Sequence, residues 1–134
     1  MRYVIALDQG TTSSRAVVFD ENARLVAQHG IEFKQIYPHP GWVEHDPADI
    51  LRTQTESLKK AVEKAGVDPK SIVAIGITNQ RETTLLWEKA TGKPLMNAIV
   101  WQCRRTAPLI EKLVADGCGD MIQSRTGQIG RAHV

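Results

Sequence analysis

Apolar runs broken by polar turns organise the first third of the chain. Tyr3 to Leu7 is a short apolar run suited to a buried strand, followed by a turn-prone stretch, Asp8-Gln9-Gly10-Thr11-Thr12-Ser13-Ser14. Ala16-Val17-Val18-Phe19 predicts a second strand, closed by Asp20-Glu21-Asn22. Leu25 to Phe33 predicts a third, with partial alternation. Three strands joined by short turns predict an antiparallel meander. Tyr37-Pro38-His39-Pro40-Gly41-Trp42 predicts a connecting loop, because two prolines restrict both themselves and the residues before them.

The period then changes. Asp46 suits a helix cap, Pro47 the first helical position, and Asp49 the positive end of the dipole. Leu51, Thr55, Leu58, Val62 and Ala65 recur at three- and four-residue spacing, which predicts one packed helix face, and Gly66 ends it. Ile72 to Thr78 is the most apolar strand. Thr83 to Trp87 predicts another strand, Ala90-Thr91-Gly92-Lys93-Pro94 a turn, and Ala98 to Trp101 renewed extended structure. Arg105 to Ala115 predicts a helix with Leu109 and Leu113 on one face. Strands first, then helix, strand and helix, make a mixed α/β domain. A meander opening such a domain is, by analogy, the ribonuclease H-like half-domain of actin, hexokinase and sugar kinases.

Composition narrows the classes. At 134 residues the chain is long enough for one domain with a core, and 42% hydrophobic against 24% charged residues is ordinary for a globular protein. A net charge of +2 spread along the chain leaves no basic footprint for nucleic acid or an anionic membrane. Cys103 and Cys118 lack metal-site spacing, and the apolar run at the N-terminus is too short for a signal peptide or membrane span. A cytoplasmic protein with free thiols is expected. His29, His39, His45 and His133 share no ligand spacing, and Trp42 and Trp87 are expected to pack.

Two polar segments carry candidate chemistry. In the first, Gly10 lets the backbone approach a ligand, and turn N–H groups can form an anion nest. Thr11, Thr12 and Ser13 add hydroxyl donors, Arg15 a fixed positive charge, and Asp8 a carboxylate for Mg²⁺, directly or through water. No lysine follows at the spacing of a Walker A loop. Taken alone, the segment also fits a polar hairpin turn with no ligand. The second segment, Asn79-Gln80-Arg81-Glu82-Thr83-Thr84, follows the apolar strand, where polar side chains often reach a crevice. Arg81 donates and Glu82 accepts, so together they can grip a diol, and Trp101 can wall its carbons. A surface ion pair and a core tryptophan are the other reading.

These residues closely resemble the glycerol kinases among the FGGY carbohydrate kinases. The resemblance rests on Ala6-Leu7-Asp8-Gln9-Gly10-Thr11-Thr12-Ser13-Ser14-Arg15, Pro40-Gly41-Trp42-Val43-Glu44-His45-Asp46-Pro47, Gly76-Ile77-Thr78-Asn79-Gln80-Arg81-Glu82-Thr83 and Ile99-Val100-Trp101-Gln102-Cys103-Arg104-Arg105-Thr106. It implies ATP-dependent phosphorylation of glycerol with Mg²⁺ in a homo-oligomeric enzyme. Thr11, Thr12, Ser13 and Arg15 would contact the nucleotide, Thr11 would lie near the transferred phosphate, and Arg81, Glu82 and Trp101 would hold glycerol. The family's aspartate base and its adenine pocket lie further along than this sequence reaches, so the chain alone is expected to be an inactive N-terminal piece. A xylulokinase-like member of the family, or an actin-like module without catalysis, are the competing readings; the Asn79–Thr83 and Trp101–Arg105 blocks argue against the former.

The resemblance runs through about Gly127. Ile129-Gly130-Arg131-Ala132-His133-Val134 instead reads as one frame of a common sequencing adapter. The expectation is therefore a partial kinase domain over 1–127 and a foreign tail over 128–134.

Overall fold

A computed structural model describes residues 1–127; the expected foreign tail lies outside the described residues. The meander forms as expected, with β1 (Tyr3–Gln9), β2 (Ser13–Asp20) and β3 (Leu25–Glu32) antiparallel in turn. The first strand runs two residues further than Leu7, and the second begins three residues before Ala16. The turn between them therefore shrinks to Gly10-Thr11-Thr12.

A two-residue strand, β4 (Glu44–His45), leads into α1 (Pro47–Ala65). The helix starts and stops where its local chemistry says it should. Asp46 Oδ1 accepts from the Ala48 N–H at 2.8 Å, and Gly66 closes the helix in the left-handed region at φ 62°. After a 3₁₀ turn at Pro69–Ser71, β5 (Ile72–Thr78) pairs parallel with β1. The sheet order is β3-β2-β1-β5.

The packed face of α1 is the expected one in part: Leu58, Val62 and Ala65 pack against the core. Leu51 and Thr55 are exposed, and the buried stripe is Thr53, Ser57 and Ala61. The helix crosses chiefly β2 and β3. Small side chains let it lie close to the sheet, where Ile5, Ala16, Val18 and Ala61 form the core. Burying Ile5 and Val18 is worth about 1.5–3 kcal/mol each. The two buried hydroxyls are satisfied by β2: Ser14 Oγ lies 2.8 Å from Thr53 Oγ1, and Ser57 Oγ donates to the Ser14 carbonyl at 3.1 Å. Ser14 Oγ also donates to Gln9 Oε1 at 2.8 Å. The turn between β1 and β2 is thereby seated on the helix.

β5 is a strand, but an outer one, and its side chains beyond Ile72 are exposed rather than buried. Thr83–Trp87 makes only isolated bridges, Thr84 to Ile99 and Trp87 to Pro94, and Trp87 is exposed instead of packed. The extended segment after the turn contributes β6 (Ala98–Ile99), which pairs antiparallel with β4. The next helix, α2 (Ala107–Ala115), begins at Ala107, with Pro108 in its first turn. Leu109 is exposed; Ile110 and Leu113 are the half-buried pair. A further helix, α3 (Gly119–Thr126), was not expected from the pattern.

Candidate functional site

Gly10 closes the hairpin. Its N–H donates to the Ser13 carbonyl at 2.9 Å, and a Cβ built at Gly10 would meet that same oxygen at 3.0 Å. This N–H is spent within the turn, so the anion nest read from sequence loses one donor. Thr12 is exposed, and Thr11 and Ser13 are half-buried. The chain after β3 fixes the turn from behind: Phe33 N–H donates to the Thr12 carbonyl, and Gln35 Nε2 to the Thr11 carbonyl, both at 3.2 Å.

Asp8 and Arg15 are directly opposed across β1 and β2. Because Ile5 and Leu7 face α1, strand alternation puts Asp8 on the other face of the sheet. There Arg15 donates to Asp8 Oδ2 at 2.7 Å, with both groups partly exposed. The expected Mg²⁺ carboxylate and the expected nucleotide-facing arginine are therefore each other's partner. Among the described residues there is no cluster of three metal-ligating side chains.

The polyol segment leaves the end of β5. Glu82 sits at φ 55°, in the left-handed region that a non-glycine residue occupies only at some cost. Glu82 and Trp101 line one cavity of about 880 Å³, which also reaches Asn79, Cys103, Ile110 and Leu113. Arg81 is exposed and does not line that cavity. Trp101 also faces the hairpin, and its indole N–H donates to Thr11 Oγ1 at 3.3 Å. The structure thus joins Trp101 and Glu82 around one space, ties Thr11 to it only through the Trp101 indole, and leaves Arg81 outside.

Trp101 is placed by β6, whose neighbours Ala98 and Val100 are buried. The β4–β6 pair is braced by Arg105, whose guanidinium donates to Glu44 Oε1 at 2.5 Å and stacks 3.9 Å above the Trp42 ring. Asn97 Nδ2 donates to the second Glu44 oxygen at 2.9 Å. The Arg105 guanidinium first, and the Asn97 amide second, hold the Glu44 carboxyl below the usual carboxylate range. Arg105 Nε also donates to Cys103 Sγ at 2.9 Å. Burial alone would push the Cys103 thiol up, but the N–H groups of Arg105 and Val43 and the guanidinium together bring it down. Sequence reasoning missed Gln35, Glu44 and Arg105 as positioning groups. Glu44 and Arg105 stood inside the quoted motifs, but nothing local pairs residues so far apart.

Residues 3–133 match the FGGY family of carbohydrate kinases, N-terminal domain. The chain belongs to this family. Among curated FGGY relatives, glycerol kinase 2 of Thermotoga maritima is 60% identical over 133 residues, covering 99% of this chain and 27% of that protein. A glycerol kinase of Escherichia coli O8 is 59% identical over 128 residues, or 96% of this chain and 26% of that one. The chain thus spans about a quarter of the length of the curated relatives it matches. Among solved structures, Plasmodium falciparum glycerol kinase with ADP superposes with a TM-score of 0.85 at 32% identity, over 99% of this chain and 27% of that one. Gluconate kinase from Lactobacillus acidophilus also gives 0.85, at 26% identity, over 95% and 25%. The mixed α/β domain expected from the meander is the one these sugar kinases share.

Proposed function

We propose that this chain forms the phosphate hairpin and one wall of the polyol site of a glycerol kinase, which transfers the γ-phosphoryl group of ATP to a terminal hydroxyl of glycerol. The observation that carries the reading is the Trp101–Thr11 hydrogen bond, because it sets a phosphate-type turn beside a wall suited to a small carbon chain. Identity near 60% to glycerol kinases supports glycerol over other polyols.

The hydroxyls of Thr11, Thr12 and Ser13 donate to phosphate oxygens, with Thr11 nearest the transferred group. Arg15 compensates phosphate charge, which requires it to share or leave Asp8. Asp8 would supply a carboxylate to Mg²⁺, directly or through water, once Arg15 shares or leaves it. The ion, when bound, neutralises charge on the phosphates. Glu82 accepts from glycerol hydroxyls, and Trp101 covers the carbons. Arg81 donates to a hydroxyl only if its side chain turns into the cavity. The rest of the enzyme supplies the base and the adenine pocket.

The test is a chimera in which residues 1–127 replace the matching N-terminal quarter of the Thermotoga maritima relative. Offered glycerol, xylulose and gluconate with MgATP, it should phosphorylate glycerol by a wide margin. Preference for xylulose or gluconate would overturn the substrate.

A further inference from the structure

A short backbone ladder carries the polyol side of the site and reaches back toward the hairpin. Ile36 bridges Glu44 of β4, with N–H to carbonyl bonds of 2.9 Å in both directions. Glu44 stands opposite Ile99 of β6. Ile99 in turn exchanges bonds of 2.8 and 2.9 Å with Thr84, just beyond Glu82. Trp101 follows Ile99 closely on the same segment. Glu82 and Trp101 therefore leave one frame, and Ile36 forms its opposite margin.

Gln35, next to Ile36, spans from this frame to the turn. Its Nε2 donates to the Thr11 carbonyl at 3.2 Å and, at a longer 3.5 Å, to that of Phe33. Its Oε1 lies 2.7 Å from His45 Nε2. With the amide nitrogen facing carbonyls, the amide oxygen can only accept, so His45 donates from Nε2. His45 is a firm anchor. It pairs in register with Ala98 of β6, has no exposed surface, and meets the buried Phe33 ring edge-on at 5.0 Å.

Two routes thus run from one frame to Thr11. The Gln35 amide holds its carbonyl, and the Trp101 indole holds its hydroxyl. An indole N–H can only donate, so it fills a lone pair of Thr11 Oγ1 and leaves the hydroxyl proton to point elsewhere. A threonine held at both ends has its one side-chain donor aimed by the frame rather than by solvent.

We propose that Gln35, anchored by His45, is a positioning residue that sets the hairpin turn at a fixed offset from the wall carrying Trp101 and Glu82. The proposal rests on reading turn and wall as the phosphate and polyol halves of one site. The Thr11 hydroxyl then keeps its direction toward the transferred phosphate only while the Gln35 tether holds.

The far end of the circuit gives the test, because Gln35 acts on the Trp101 indole through Thr11. In the isotopically labelled 134-residue chain, nitrogen-15 spectra at neutral pH should show His45 as the Nε2–H tautomer. Trp101→Phe identifies the Trp101 indole signal by deleting it. Gln35→Leu removes both arms of the amide and should shift that signal, while the exposed Trp87 indole stays in place. His45→Gln keeps an N–H donor near the position of Nε2 and should leave the Trp101 indole as in the wild type. Val18→Ala weakens the core of the large sheet and should also leave it in place, which separates the tether from a general loss of stability. The tautomer is read on the unaltered chain, so the test stands even if a variant fails to fold. An Nδ1–H tautomer would overturn the tether. So would a Trp101 signal that ignores Gln35→Leu, or that moves as far in His45→Gln or Val18→Ala. No glycerol or ATP enters these measurements, so their failure leaves the kinase reading standing, just as a chimera inactive on glycerol leaves the tether standing.

Discussion

The Trp101 indole and the Thr11 hydroxyl meet at 3.3 Å although ninety positions separate them in the chain. Two unrelated local structures produce the meeting. The β1–β2 hairpin presents Thr11 in its turn, while Trp101 follows β6 of the β4–β6 pair. In the chimera, Trp101→Phe keeps the aromatic wall and deletes the donor. One neutral hydrogen bond is worth about 0.5–1.5 kcal/mol, so kcat/KM for glycerol should fall about 2- to 10-fold. Trp101→Ala should cost more. Equal kinetics for Trp101→Phe and the parent chimera would mean that the contact does not position Thr11.

Glu82 combines the acceptor role proposed for it with a left-handed backbone. Glu82→Ala should weaken glycerol use by about 1–3 kcal/mol, since a substrate hydroxyl loses its acceptor, and should leave MgATP binding nearly unchanged. Glu82→Gly should be as poor an enzyme yet more stable by about 0.5–1 kcal/mol, because glycine adopts a positive φ without the Cβ penalty. Thermal melts alongside steady-state kinetics separate the two effects. A Glu82→Gly variant less stable than Glu82→Ala would show that the φ value carries no strain.

What was legible in the sequence was mostly local chemistry. Asp46, Pro47 and Gly66 bracket α1 because caps act within a turn of the residue that makes them. The face of α1 was legible only in part. Leu58, Val62 and Ala65 pack as their spacing predicts, but Thr53 and Ser57, which read as polar, are buried. The partner that lets them be buried is Ser14, 39 and 43 positions away. A third helix escaped notice because Met121 and Ile122 are exposed and Cys118 provides no side-chain cap. At the site, the Asp8-to-Arg15 segment announced itself by residue type. That Asp8 and Arg15 pair with each other follows only from strand register.

Arg105 holds Trp42 and Glu44, before α1, to Cys103, after β6. The side chains of Arg105 and Glu44 are only 16% and 13% exposed. Arg105→Ala strands Glu44 with Asn97 alone, and breaking a pair this buried should cost about 3 kcal/mol. Arg105→Lys keeps the charge but loses the planar stack on Trp42 and the Nε bond to Cys103, so it should recover only part of the loss. Denaturant unfolding of the three proteins measures this. Full recovery by lysine would reduce the cluster to a simple charge pair.

His45 makes the fold sensitive to acid. Burial depresses its folded-state pKa below the ordinary value of about 6.5. The unfolded chain therefore takes up the proton first as pH falls. The stabilisation is fully present above about 6.5 and drains away below it, down to the folded-state pKa. Glu44, also depressed, adds a second loss at lower pH, below the ordinary carboxylate range. Melting temperatures at pH 8, 6 and 5 should drop more steeply for the wild type than for His45→Gln, which cannot titrate there. Parallel slopes would mean that the imidazole titrates as it does in water.

The outer strand sets the behaviour of the chain in solution. Among the described residues β5 pairs only with β1, and Ile72-Val73-Ala74-Ile75-Gly76-Ile77-Thr78 contains neither a charge nor a proline. Val73, Ile75 and Ile77 are 58%, 52% and 74% exposed, beside an apolar groove walled by Leu58 and Val62 of α1. An unpaired apolar edge of this kind is a template for another strand, and natural proteins block such edges with a lysine or a proline. Each side chain of this type gains about 1.5–3 kcal/mol on full burial, so association is favoured even where register is imperfect. The 134-residue chain should therefore self-associate as its concentration rises, with a gain of strand signal in circular dichroism. Ile77→Lys should suppress this without loss of melting temperature, because Ile77 is the most exposed of the three and contributes least to the core. Sedimentation velocity over a concentration series reads both effects. A wild-type chain that stays monomeric throughout the series, or an Ile77→Lys variant that associates as strongly, would show that β5 is not the associating edge.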